Sequence, residues 1–242
     1  EYLMNYVNFI PQWSTQKLGR DIVKFYLKKA EIIIAPTKRI ENVVHEYGIE
    51  KDTFLLPTGI PSNLIKFDKN QNKCIKAALF KKFPLLKNKN ILLYVGRVVK
   101  EKNLTFLYDV LEKIKQSDKN AALLFVGGGP FLEELKEIAA SRGLKKDVVF
   151  TGYAAYKDLI YFYKMASVFV FPSLTETQGL VTIEAMTAGL PVVAIGEMGT
   201  VDVMRGDNGG FMVSNDVDEF ASKVHILLND KKIYSQKKAD AI

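Results

Sequence analysis

The sequence predicts an α/β fold built on a doubly wound, Rossmann-like parallel sheet, and three observations carry that prediction. Short apolar, β-branched runs recur along the chain, helical patterns separate them, and the residues with chemistry to offer fall where strands pass into helices. Runs at 32–35, 54–56, 91–95, 121–126, 148–150, 168–171 and 191–194 are mostly apolar on both faces, as strands covered on both sides must be. Between them, apolar residues at helical spacing mark helices at 38–46, 104–116, 131–142, 157–165, 181–188 and 217–229. Strand and helix in alternation give parallel strands joined by crossover helices, with ligands at the carboxyl ends of the strands.

Composition narrows the class. The 242 residues hold 34 Lys and Arg against 27 Asp and Glu, a net charge of +7, with 48% apolar and 25% charged residues. Those are the proportions of a folded chain. No apolar stretch reaches the roughly 18 residues of a membrane-spanning helix. The single Cys74 excludes an internal disulfide and a cysteine-based metal site, and His45 and His225 lie in helical patterns that suit surface or packing roles. The chain opens at Glu1 with no Met, no charged n-region and no apolar signal segment, as a piece of a longer protein would.

Between Pro57 and Asn90 the composition shifts through Thr-Gly-Ile-Pro and asparagines to a dense run of lysines, Lys66, Lys69, Lys73, Lys76, Lys81, Lys82, Lys87 and Lys89. The shift divides the chain into a first segment at 1–58, a linker at 59–75 and a Rossmann-like domain at 76–242. In the first segment Lys17, Arg20, Lys24 and Lys28 recur at helical spacing, with Ile22, Val23, Tyr26 and Leu27 on the other face and Tyr6, Phe9 and Trp13 just upstream. Two readings fit: a basic, aromatic-flanked helix on an anionic membrane surface, or a core helix with a solvated basic face. The linker lysines lack interleaved aromatics, so no nucleic-acid partner is expected.

The sharpest motif is Glu176-Thr-Gln-Gly-Leu-Val-Thr-Ile-Glu184, two carboxylates eight positions apart across a strand-to-helix turn. Glu176 falls on the loop at the carboxyl end of a strand, and Glu184, a turn or so into the helix, can face the same crevice. Between them Gly179, Leu180 and Val181 offer helix N-terminal amides suited to a phosphate. Such a set, one carboxylate able to take a ribose diol, makes a nucleotide-sugar site. A second loop, Gly96-Arg97-Val-Val-Lys-Glu101-Lys102, places a guanidinium and an ammonium where they can clamp a diphosphate. Alone, such a basic loop is weak evidence, because surface Lys and Arg are usually solvated.

Gly127-Gly128-Gly129-Pro130 lacks the G-x-G-x-x-G spacing of nicotinamide-cofactor sites and reads as a tight strand-to-helix turn or a close backbone approach to a ligand. At Thr151-Gly152-Tyr153, another strand end, Tyr153 or its backbone can meet a nucleobase. Asp216-Val-Asp218 has a metal-binding form, yet Asp216 and Glu219 have the spacing of a capping box, so no metal is expected.

These elements, in this order, resemble the C-terminal half of retaining nucleotide-sugar glycosyltransferases of family four, which have two Rossmann-like domains facing each other across a cleft (the GT-B fold). The resemblance implies that Arg97 and Lys102 bind the donor diphosphate, that Glu184 binds the ribose hydroxyls, and that Glu176 contacts the donor hexose. It further implies that Gly179, Leu180 and Val181 meet the β-phosphate, that Gly152 and Tyr153 meet the base, and that Gly96, Gly128, Thr177 and Gln178 belong to the donor-binding set. No cofactor is implied beyond UDP-hexose as donor substrate. The family's usual Glu-Gly-Phe-Gly is here Glu176-Thr-Gln-Gly179, a variant similar to the branch that makes glycosyl-diacylglycerols in bacterial membranes, and Asn5-Tyr6-Val-Asn-Phe-Ile-Pro11 is similar to that branch's acceptor-side segment. This implies a membrane lipid acceptor, an anionic membrane surface and a peripheral cytoplasmic location on the inner face of the cell membrane. An acceptor in capsule or lipopolysaccharide assembly, or a binding module without turnover, are the alternatives. Residues 1–58 then read as the end of an acceptor domain whose glycine-rich loop and histidine lie outside the chain; neither His45 nor His225 matches that histidine, and the piece alone is expected to be inactive.

Overall fold

The computed structural model describes residues 12–60 and 69–241, and the chain divides into two compact units, Glu1–Thr58 and Gly59–Ile242. The segment 5–11 singled out above lies outside the described residues.

In the first unit, α1 (Gln12–Lys29) leads into β1 (Ile33–Ala35), α2 (Lys38–Glu46) and β2 (Thr53–Leu55), and the two strands pair in parallel with Ile34 opposite Phe54. Ile33, Val44 and Ile49 form its small core, with Leu27, Ala30 and Tyr47 packed against them. Lys51 Nζ donates to Lys28 O and Ala30 O at 2.6 Å each, a cation on the carbonyl end of α1. Thr37 caps α2 by accepting from the Ile40 amide at 3.3 Å. Leu27 alone of the four residues expected on the apolar face of α1 joins this core; Ile22, Val23 and Tyr26 are exposed, as are Leu18 and Phe25 beside them.

The second unit runs α3 (Lys69–Lys82), β3 (Asn90–Val95), α4 (Phe106–Lys115), β4 (Ala121–Val126), α5 (Leu132–Ser141), β5 (Val148–Phe150), α6 (Leu159–Met165), β6 (Val168–Phe171), α7 (Leu180–Thr187), β7 (Val192–Ile195), α8 (Gly199–Val203), β8 (Gly210–Val213), α9 (Val217–Asn229) and α10 (Lys231–Asp240). Six parallel strands stand in the order β5-β4-β3-β6-β7-β8. The chain winds outward from β3 in one direction, returns, and winds outward from β6 in the other. A crevice therefore opens above the carboxyl ends of β3 and β6, where the winding reverses. Beneath those ends runs a row of rings across four strands, Phe150 to Phe125 (centroids 5.1 Å apart), Phe125 to Tyr94 (5.6 Å) and Tyr94 to Phe171 (6.1 Å), a dense apolar floor that keeps the loops above it in place.

The expected linker at 59–75 is corrected at its end, since residues 69–75 belong to α3. Lysine density read as a composition break, yet Lys, Gln, Ala and Leu are good helix formers, and Leu79 and Phe80 seat α3 on the core. Strand β8 was not expected, because Asp-Asn-Gly-Gly reads as a turn. Gly210 is required there, for a Cβ would overlap the Val192 carbonyl of β7. Helix α10 was also not expected; it is dominated by charge and buries none of its residues below the surface, and Asp230 caps it by accepting from the Lys232 and Ile233 amides at 2.9 and 3.0 Å.

Candidate functional site

The reversal of winding brings together two loops whose bonded residues are 71 and 74 positions apart in sequence. From the loop after β3, Lys102 Nζ donates to Ser173 Oγ at 3.2 Å and to Glu176 Oε2 at 3.1 Å, both on the loop after β6. Ser173 is wholly buried and Lys102 nearly so. The other Glu176 oxygen, Oε1, accepts from the Thr177 amide at 3.2 Å, and the Glu176 carbonyl accepts from Gly199 N at 2.7 Å. A Cβ on Gly199 would run into the Thr177 carbonyl, so the loop carrying Glu176 is pressed against the start of α8. An ammonium bonded to a carboxylate and a hydroxyl in a nearly dry setting is fixed in place and available to a third, anionic partner.

Arg97 stands apart from this pair. Its guanidinium is 71% exposed and lies 3.7 Å from Glu101. Its backbone is anchored instead, the carbonyl accepting from the Tyr94 hydroxyl at 2.9 Å. Burial, with the Glu176 charge adding to it, pushes that phenol well above its ordinary value, so Tyr94 stays a donor.

Gly96 and the glycine run pack backbone on backbone. Gly96 N donates to Val126 O, Val98 N to Gly128 O and Phe131 N to Val98 O. Gly127, at φ +141°, has no room for a Cβ against the Gly96 carbonyl, and Gly129 has none against that of Val98. Two of the three glycines thus serve the approach of neighbouring loops. Gly128 differs: the ring of Tyr153 lies against it, 2.6 Å from where a Cβ would stand. Gly152, bridged to Gly127 and in the left-handed region at φ +70°, turns the chain so that Tyr153 projects, 82% exposed, over the glycine loop.

Gly179 caps α7 from the left-handed region, φ +64°, and Leu180 and Val181 follow as the first helical residues, whose amides have no acceptor within the helix. Gly179 is buried, Gln178, Leu180 and Val181 are half-buried, and Thr177 is exposed. Glu184 is the fifth residue of α7 and only 6% exposed. Its Oε1 accepts from Tyr156 at 3.0 Å and its Oε2 from Tyr163 at 2.8 Å.

Ser173, Tyr156 and Tyr163 were not singled out from sequence. Ser173 had a signal, its place at the mouth of a predicted strand, whereas Tyr163 is indistinguishable in sequence from the core aromatics of α6. Asp216 does cap α9, accepting from Glu219 N at 2.8 Å, and Asp218 pairs with Lys113 at 2.6 Å. His45 bonds the Ile49 carbonyl at 3.1 Å, and His225 lies 3.2 Å from Asn229 Nδ2.

Residues 75–241 match the family model described as Glycosyl transferases group 1. The chain is 29% identical over 195 residues, 79% of its length, to alpha-monoglucosyldiacylglycerol synthase of Streptococcus pneumoniae, of which that match covers 44%. It is 32% identical over 228 residues, 90% of its length, to the GDP-mannose-dependent alpha-(1-6)-phosphatidylinositol monomannoside mannosyltransferase of Mycobacterium tuberculosis, covering 58% of that protein. Among solved structures, Anabaena HepE in complex with UDP-glucose shares the fold, with a TM-score of 0.77 at 22% identity over 88% of this chain and 58% of that one. The chain spans about half the length of such curated relatives.

Proposed function

The chain belongs to the group 1 glycosyl transferases, and on that premise we propose that its second unit is the donor side of an enzyme that moves a hexose, glucose or galactose, from UDP-hexose to a membrane lipid, diacylglycerol foremost, with retention at the anomeric carbon. The observation that carries this reading is the Lys102–Ser173–Glu176 cluster at the point where the sheet reverses its winding. A diphosphate laid over the start of α7 meets the amides of Gly179, Leu180 and Val181 and the Lys102 ammonium, and Arg97, exposed on the same loop as Lys102, closes on it. Glu176, fixed by Lys102 and Thr177, is then beside the hexose, Glu184 takes the ribose, and Gly152, Tyr153 and Gly128 flank the base. UDP departs from the face the acceptor attacks, and its growing charge is met by Arg97, Lys102 and the helix amides, groups held in place before the reaction. Supporting a lipid acceptor are the diacylglycerol and phosphatidylinositol named in the relatives above and the exposed Leu18, Ile22, Val23, Phe25 and Tyr26 of α1 beside Lys17, Lys24 and Lys28. This composition suits peripheral attachment to an anionic, cytoplasmic membrane face. Titration calorimetry of the chain with UDP tests the donor site: heat of binding in the micromolar-to-millimolar range is expected, and a folded chain that gives none at millimolar UDP overturns the reading.

A further inference from the structure

Glu184 presents a puzzle to its own proposed role. A carboxylate that is to chelate a ribose diol must be reachable, yet Glu184 is 6% exposed and each of its oxygens already accepts a phenol. The two phenols are unlike. Tyr163, on α6, is 1% exposed and its ring packs at a tilt against Phe169 (centroids 5.8 Å apart), so it cannot move without opening the core. Tyr156 stands on the turn between β5 and α6, four residues from Gly152, and is 42% exposed. A carboxylate offers about four lone-pair sites, so two hydroxyls could be accepted beside both phenols by number alone; what bars them is access, since Glu184 is buried and Tyr156 is the phenol that lies between it and the surface.

We infer that Tyr163 is a positioning residue that aims the Glu184 carboxylate, and that Tyr156 is a displaceable cover that holds the place of a ribose hydroxyl on Glu184 Oε1 until a nucleotide takes it. The inference rests on the proposed ribose role of Glu184 and adds to it how that seat is built and opened. Both phenols remain donors at neutral pH. Burial, then Glu184, holds Tyr163 well above its ordinary value, while burial and the bond to Glu184 push Tyr156 up to about 12.

The test is titration calorimetry of the chain and its variants with UDP, 2′-deoxy-UDP and inorganic pyrophosphate, three probes that share phosphates and differ at the sugar. Tyr163→Phe is expected to weaken UDP about tenfold, the scale of one hydrogen bond to a charged group, to shrink the preference for UDP over 2′-deoxy-UDP, and to leave pyrophosphate unchanged. Equal weakening of all three probes would mean a merely structural Tyr163 and would overturn the positioning role. Tyr156→Phe, at an exposed position that does not threaten folding, is expected to tighten UDP about threefold or more by releasing the cover, again leaving pyrophosphate unchanged. Weaker or unchanged UDP binding by Tyr156→Phe would overturn the cover. Glu184→Gln separates this inference from the reading beneath it. If that variant keeps the wild-type preference for UDP over 2′-deoxy-UDP, the ribose role itself fails. If it abolishes the preference while both tyrosine variants leave it intact, the ribose role stands and the inference falls.

Discussion

Lys102 and Arg97 share a loop and a sign of charge but differ in what holds them, and the difference separates stability from activity. Lys102 is bonded to Ser173 and Glu176 in a largely dry setting, so Lys102→Ala leaves a carboxylate without its counter-charge. A loss of about 2–3 kcal/mol is expected on denaturation, somewhat under the ~3–5 kcal/mol of a wholly buried pair, together with weaker UDP binding. Arg97 is mostly exposed, so Arg97→Ala should leave the melting temperature nearly unchanged while lowering kcat of the intact enzyme by about 10²–10³, the scale of one lost charge-stabilising donor. Wild-type turnover in that variant would remove Arg97 from the mechanism. The tyrosines give a pH signature. Tyr156, pushed up from 10.0 to about 12, has a folded value above its unfolded one. Its contribution is complete below about pH 10 and is lost as pH climbs through about 12. Tyr163 and Tyr94, held up chiefly by burial, extend the loss to higher pH. Chemical denaturation across this range should show stability falling, less steeply in Tyr156→Phe; a flat profile would contradict the assignment.

Among the elements, α7 and α9 show how local chemistry sets up a helix start. Gly179 begins α7 at φ +64° with Val203 Cγ2 3.1 Å from where a Cβ would stand. Gly179→Ala should cost about 1–2 kcal/mol from the left-handed backbone alone and should weaken UDP by tilting the first amides; unchanged UDP affinity would argue against those amides as a phosphate seat. The α9 cap is structural. Asp216→Ala should cost about 1 kcal/mol in thermal unfolding without touching UDP binding. The Ser214 hydroxyl and amide bond Glu219 and hold its carboxyl below the usual range. That contribution is present at neutral pH and is lost as pH falls through the lowered value.

For the molecule as a whole, the charge of +7 is distributed unequally, and α1 is where it meets exposed apolar side chains. The expected outcome is flotation of the chain with anionic vesicles, loss of flotation with neutral ones, and weakening as salt shortens the screening length from about 10 Å at 0.1 M to about 3 Å at 1 M. Failure to float with anionic vesicles at low salt would favour a soluble or polyprenyl-linked acceptor.

What could be read in the linear text was whatever depends on neighbours in sequence. The strands at 121–126, 148–150 and 168–171 declare themselves because strands buried on both faces need uninterrupted apolar runs. Asp216 declares itself as a cap because a cap reaches only three residues. Gly179 and the two carboxylates of the Glu176–Glu184 motif were visible because the end of β6 at Phe171, the loop and the start of α7 at Leu180 follow one another directly in sequence. β8 and α10 were not visible, one hidden by a Gly-Gly of which Gly210 is required by its close approach to β7, the other by a charged sequence without an apolar stripe. Only the tertiary structure decided that Lys102 is held by Ser173 and Glu176, more than seventy residues away, that Gly127 and Gly129 serve neighbouring loops, and that two tyrosines cover Glu184. Each depends on the order in which strands lie side by side. That order is set by contacts between strands distant in sequence and leaves no trace in any short window of it.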